Sequence, residues 1–138
     1  MPEPIDILRA AHHVVVQDFP SQEIPDALTR AGLMVTIYGG PDENDVTVSE
    51  LTDGSVVHRE VGRYPDSADL LCTYRPLNEL DAIIAEAHRL GARTIWRQRD
   101  PGARTDPDAD TWRRRVRQAG LDYVDTPPIA EAARALTG

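Results

Sequence analysis

A chain of 138 residues that is 41% hydrophobic and 28% charged holds one globular domain with a substantial core, not two. All 15 basic residues are arginine, which excludes Schiff-base chemistry, pyridoxal phosphate anchoring and a P-loop lysine. The net charge of −8 argues against nucleic acid as a partner, and the lone cysteine, Cys72, excludes an internal disulfide and any multi-cysteine zinc site.

The chain opens with Met1-Pro2-Glu3-Pro4, which lacks the charge and apolar stretch of a secretory signal. No apolar run approaches the roughly 20 residues of a membrane span, so a cytoplasmic protein without membrane contact is expected. The consecutive valines Val14, Val15 and Val16 predict a strand over 13–17, buried on both faces. Ser21 can cap a helix over 22–31, in which Pro25 is tolerated because first-turn amides have no internal acceptors. A second strand over 33–38 ends at Gly39-Gly40-Pro41. Two β-branched arms, 46–51 and 55–61, flank Thr52-Asp53-Gly54 and predict a hairpin or an irregular edge extension.

The next parallel strand is expected over 69–74. The helix after it, 77–90, places Leu77, Leu80, Ile83, Ile84, Ala87 and Leu90 on one face. A strand over 93–97, a polar aspartate-rich loop over 100–108 and a helix over 109–119 burying Trp112 and Val116 come next. A short strand over 121–124 and a helix over 129–136 complete the chain. Three junctions, Ala31-Gly32-Leu33, Leu90-Gly91-Ala92 and Ala119-Gly120-Leu121, repeat the order helix, glycine, strand. That is the pattern of βα units. The expected fold is α/β: a Rossmann-like three-layer sandwich in one domain, 1–138, with a mostly parallel five-stranded sheet plus the hairpin.

Ligands of such sheets bind beyond the carboxyl ends of the strands. Ser21, after the first strand, reads as a helix cap or as a ligand-contacting hydroxyl. Asp18 and Glu23 beside it oppose a phosphate at the helix start, where no glycine stands to open the backbone. Gly39 and Gly40, followed by Asp42, Glu43 and Asp45, read as a solvated turn or as a close approach of backbone to ligand. Arg75, Arg99 and Arg104 follow the next two strands and can converge as an anion site or be neutralised by local aspartates. Arg113, Arg114, Arg115 and Arg117 read as a solvated helix face.

Catalytic signals are sparse. His12 and His13 stand at the amino end of the first strand, away from the expected cleft. Cys72 reads as a buried, inert thiol, and His58 and His88 have no motif partners. Asp106, Asp108 and Asp110 alternate like metal-loop ligands but lack the glycine and terminal glutamate of a calcium loop.

Several segments together resemble a family. Ala68-Asp69-Leu70-Leu71, Tyr74-Arg75-Pro76, the helix, and Leu90-Gly91-Ala92-Arg93-Thr94-Ile95-Trp96-Arg97-Gln98 form one progression. It is similar to the strand, Arg-Pro, helix, Gly-Ala-Lys, Trp-x-Gln order of the small CoA-binding proteins. These are single Rossmann-like domains related to the CoA-binding domain of succinyl-CoA synthetase. Ala119-Gly120-Leu121 fits the family's late junction, and the resemblance extends over nearly all of 5–125. It implies CoA or a related nucleotide as ligand. The adenine and ribose would lie near Gly39, Gly40 and Arg75, anionic groups would reach Arg99 or Arg104, and Ser21 would offer a hydroxyl. This chain departs from the family in its shorter, acidic first loop over 17–22 and in Gly40-Pro41 where the family has Asn-Pro. It also has Gly102 set back behind Asp100-Pro101, and Asp125-Thr126 in place of a late Arg-Cys pair.

The reading that follows is a non-catalytic CoA- or nucleotide-binding module with an altered phosphate loop. The alternative is a ligand-free domain of the same fold that binds a protein partner. An enzyme acting on a nucleotide or acyl-CoA ranks third, because no nucleophile–base pair stands out.

Overall fold

The computed structural model describes residues 3–17, 23–38, 46–60, 66–98 and 107–137. Helix α1 (Pro4–Ala10) leads into β1 (His13–Gln17), α2 (Glu23–Arg30) and β2 (Met34–Tyr38). The hairpin β3 (Val46–Thr52) and β4 (Ser55–Glu60) follows, then β5 (Leu70–Thr73). A short 3₁₀ turn, Leu77–Glu79, opens α3 (Leu80–Leu90), and β6 (Thr94–Arg97), α4 (Ala109–Gln118), β7 (Asp122–Val124) and α5 (Ile129–Thr137) complete the order.

All seven strands join one sheet in the order β4-β3-β2-β1-β5-β6-β7. The pairs β1–β2, β1–β5, β5–β6 and β6–β7 are parallel, and the hairpin adds to β2 antiparallel. The sheet therefore has seven strands, the five expected parallel ones and the hairpin, which extends it at one edge. The hairpin turns at Asp53 and Gly54, with φ of 51° and 82°, the paired positive values that a two-residue turn between twisted strands needs. Helix α1 was not expected from the sequence. It has only seven residues, and its N-cap Glu3 makes no side-chain cap bond, so little local signal marks it.

Register sorts the side chains into two cores. Val16, Cys72, Trp96 and Val124 form a row across β1, β5, β6 and β7, packed under α1, α2 and α5. Val15, Leu71, Ile95 and Tyr123 form the neighbouring row on the opposite face, under α3 and α4. Both faces of the central strands are thus buried, which is why their sequences run apolar without alternation. Trp96 and Trp112, both fully buried, anchor one core each, and Trp96 Nε1 donates to the Pro127 carbonyl at 3.1 Å.

The glycine junctions end their helices as expected. Gly91 takes φ 74°, its amide donates to the His88 carbonyl at 3.1 Å, and the Ala92 amide donates to the Ala87 carbonyl at 2.9 Å. These two bonds close the last turn of α3 and turn the chain into β6, with Ala92 tucked into the core. The same pair of bonds recurs at Gly32 and Gly120.

Candidate functional site

Helices α2 and α3 follow adjacent strands, β1 and β5, yet pack on opposite faces of the sheet. The carboxyl ends of β1 and β5 are therefore the topological switch point of the sheet, the place where doubly wound sheets in general hold their ligands.

The sheet's chemistry changes there. Below the edge, the row Val15, Leu71 and Ile95 is apolar and fully buried. One step towards the edge on the same face, the row becomes Gln17, Thr73 and Arg97. Gln17 is 2% exposed, and its Oε1 has no hydrogen-bond partner among the described residues. The Thr73 hydroxyl accepts the Arg75 amide at 3.1 Å, which fixes the turn out of β5. The Arg97 guanidinium lies 4.9 Å from the Trp112 ring centre and donates to the Tyr123 hydroxyl at 3.3 Å. Tyr123 in turn donates to Asp125 Oδ2 at 3.0 Å. Burial, opposed by the Arg97 contact, pushes the Tyr123 phenol up to about 12, so it stays a neutral donor.

On the other face of the edge stand Tyr74 and Gln98. The Gln98 amide N–H donates to the Thr73 carbonyl at 2.8 Å, holding Gln98 beside the end of β5. Its side-chain Oε1 accepts a long bond of 3.5 Å from the Tyr74 hydroxyl. Its Nε2 is buried, in a residue 7% exposed, and among the described residues it makes no full hydrogen bond, only a weak approach to the Cys72 sulfur. Burial raises the Tyr74 pKa. It raises that of the Cys72 thiol much further, against a smaller opposing pull from the Gln98 amide. A thiol held protonated inside a strand is not a nucleophile.

Of the residues selected from sequence, Arg75 stands at this edge, half-buried, two residues after β5. Ser21, Gly39, Gly40, Arg99 and Arg104 lie outside the described residues. Tyr38 and Gln98, which precede two of those segments in the chain, end at the same carboxyl edge. Sequence reasoning assigned no role to Gln17 and Gln98. Their signal was faint: a polar residue closing a run of three valines, and the glutamine of Trp-x-Gln. On α4, Arg113 bonds Asp110 at 3.1 Å and Arg115 pairs with Asp81, while Arg114 is exposed.

The amino end of the sheet is a separate, structural place. Asp69 Oδ2 accepts the amides of His12 and His13 at 2.9 and 3.0 Å, tying the start of β1 to that of β5. His13 Nε2 lies 2.6 Å from the Thr36 hydroxyl, which is buried. Burial lowers the His13 pKa, against smaller opposing effects of the Ser67 backbone and Asp69. With the folded pKa below the unfolded one, the unfolded chain binds more protons as pH falls. The His13 contribution to stability is therefore complete above about pH 6.5 and is lost as pH drops through the folded value. Urea melts between pH 7 and pH 5 should show a shallower loss for His13→Gln than for wild type. Equal slopes would contradict this assignment.

Among the described residues no group of three metal-ligating side chains comes together, and no helix is long and apolar enough to cross a membrane.

No family model matches the chain, and no curated protein matches it. Solved structures do. Prb, the PH1109 protein redesigned for binding, superposes with a TM-score of 0.63 at 17% identity, over 97% of this chain and 89% of that one. Cell-free ID.343 from Thermus thermophilus is similar at a TM-score of 0.59 and 20% identity, over 94% and 93% of the two chains. A protein of unknown function from Methanothermobacter thermautotrophicus reaches a TM-score of 0.50 at 15% identity, over 86% and 78%. At these identities the likeness is one of fold, and it spans almost the whole chain.

Proposed function

We propose that this chain is a non-catalytic cytoplasmic module that binds CoA or a related nucleotide at the carboxyl edge of β1, β5 and β6. The observation that carries the reading is the pair of orphaned buried amide atoms, Gln17 Oε1 and Gln98 Nε2, on either side of the end of β5. A buried polar atom without a partner costs a fold about 1–3 kcal/mol, and a bound ligand removes that cost. The sequence resemblance to small CoA-binding proteins supports the choice of ligand. In this reading Gly39, Gly40 and Arg75 flank the adenine and ribose, Arg99 and Arg104 meet the anionic groups, and Ser21 contributes a hydroxyl.

A second reading, a ligand-free domain that binds a protein partner, draws support from the outer hairpin. Strand β4 is the sheet's edge, and Leu51 and Val57 on the hairpin are 44% and 47% exposed.

A thermal-shift series at low salt separates the two. A ligand that binds only the folded chain adds about 2.7 kcal/mol at a hundredfold excess over Kd, a shift of several degrees in a domain of this size. CoA, dephospho-CoA and ADP should each raise the melting temperature. Asp18→Gly should enlarge the rise, since it removes a negative charge and frees the backbone of the first loop. Absence of any shift, in wild type and in Asp18→Gly alike, would leave the protein-partner reading standing.

A further inference from the structure

The two orphaned amides differ in what they need. Gln17 Oε1 is an acceptor and needs a donor; Gln98 Nε2 is a donor and needs an acceptor. A deprotonated phosphate offers acceptors alone and leaves Gln17 unsatisfied. The start of α2 is also ill suited to an anion. Glu23 and Asp26 occupy its first turn, and Glu23 is paired with Arg134 of α5. The centre of the crevice, where glycine-loop proteins hold a pyrophosphate, is therefore built here for something neutral.

Geometry narrows the group further. Gln17 ends β1, and Gln98 extends β6, with β5 between them. Two strand spacings separate them, about 10 Å, and they leave the sheet on opposite faces. A lone hydroxyl cannot bond both, whereas an extended chain with separate N–H and C=O groups can pass over the end of β5 and reach each. Thr73 and Tyr74 would lie beneath such a chain, and Arg97 shares the face of Gln17, with its guanidinium held at Tyr123 and Trp112. We propose that Gln17 and Gln98 form a two-point subsite for a neutral carboxamide chain, lying across the end of β5 and distinct from the place where any phosphates are held. The proposal rests on the binding reading above and specifies which part of a ligand this edge takes; in a CoA-type ligand that part is the pantetheine arm.

The test uses pantetheine, which has the amides and no phosphate, and ADP, which has the phosphates and no such amides. Calorimetry of the full chain measures Kd for each, with melting temperatures of the unliganded variants alongside. Without ligand, Gln17→Met and Gln17→Leu should melt a few degrees above wild type, because each removes a buried unsatisfied atom. Both variants should weaken pantetheine about tenfold and leave ADP unchanged, and Gln98→Met should weaken pantetheine likewise. A lower melting temperature in both Gln17 variants would mean that the amide is satisfied within the fold, and would overturn the subsite. Equal weakening of ADP and pantetheine would overturn it as well. Binding of ADP or CoA without binding of pantetheine would remove the subsite while the binding reading survives. If none of the three ligands binds wild type, the binding reading itself fails, and the subsite with it.

Discussion

Trp96→Ala should destabilise the protein by about 3–5 kcal/mol, the largest loss expected from a single substitution in this fold. Trp96 is fully buried in the row Val16, Cys72, Trp96 and Val124, beneath the helices α1, α2 and α5. Strand β6, which carries Trp96, is itself held by backbone pairing to β5 on one side and β7 on the other, so the row cannot readily collapse into the space an indole leaves. Against a total stability of about 5–15 kcal/mol, that loss brings the chain close to unfolding. Trp96→Phe separates the two parts of the effect. It keeps most of the ring volume and removes the Nε1 bond to the Pro127 carbonyl, so it should cost about 1–2 kcal/mol. Urea denaturation of both variants reads the difference as a shift in midpoint at unchanged slope. A Trp96→Ala variant within 1 kcal/mol of wild type would contradict the packing of this row.

The parts of the fold legible in the sequence are those written by local chemistry. Three valines in succession specify a strand buried on both faces, and β1 is the middle strand of the seven. The glycines at 32, 91 and 120 specify helix ends, and each has positive φ. Asp53-Gly54 specifies the hairpin turn. Strand bounds differ from expectation by a residue at some ends, as at 33 and 69, where pairing begins one residue later. Helix α1 was missed for want of length and capping, since its hold on the fold is the tertiary burial of Leu8.

The site was less legible for a related reason. Arginines and glycines advertise themselves by residue type, and they were selected on that ground. Gln17 and Gln98 are ordinary residues whose meaning comes from burial without a partner, a property of the packed sheet and not of any local pattern. Gln17 gains it because register sets it beside Thr73 at the point where the chain parts, and Gln98 because its backbone is pinned to the end of β5. Arg97 shows the same effect. In sequence it is one arginine among 15, and in the fold it spans from Trp112 to Tyr123 at the carboxyl end of β6.

Joint replacement of Arg75 and Arg99 by glutamine should weaken CoA binding by about a hundredfold or more. Charge-assisted hydrogen bonds contribute about 1.5–3 kcal/mol each, and every 1.4 kcal/mol is a factor of ten in Kd. Arg75 stands two residues after β5, its backbone fixed by the Thr73 hydroxyl, so its side chain starts from a defined position at the carboxyl edge. Arg99 follows Gln98 in the chain, and its part in the site is the expectation drawn from sequence. The control is Arg114→Gln with Arg115→Gln on α4, where Arg114 is exposed and Arg115 is paired with Asp81. Both double variants carry the same net charge, two units more negative than −8, so general attraction falls equally in each. What differs is position. Calorimetry at two salt concentrations should show the Arg75/Arg99 variant weakened at both, with a flatter dependence on salt, because the direct anion contacts are gone. The Arg114/Arg115 variant should bind within about twofold of wild type at the higher salt, since exposed charges beyond a Debye length are screened there. Equal losses in the two variants would reduce the arginines to a diffuse attraction and remove the anion site from the carboxyl edge.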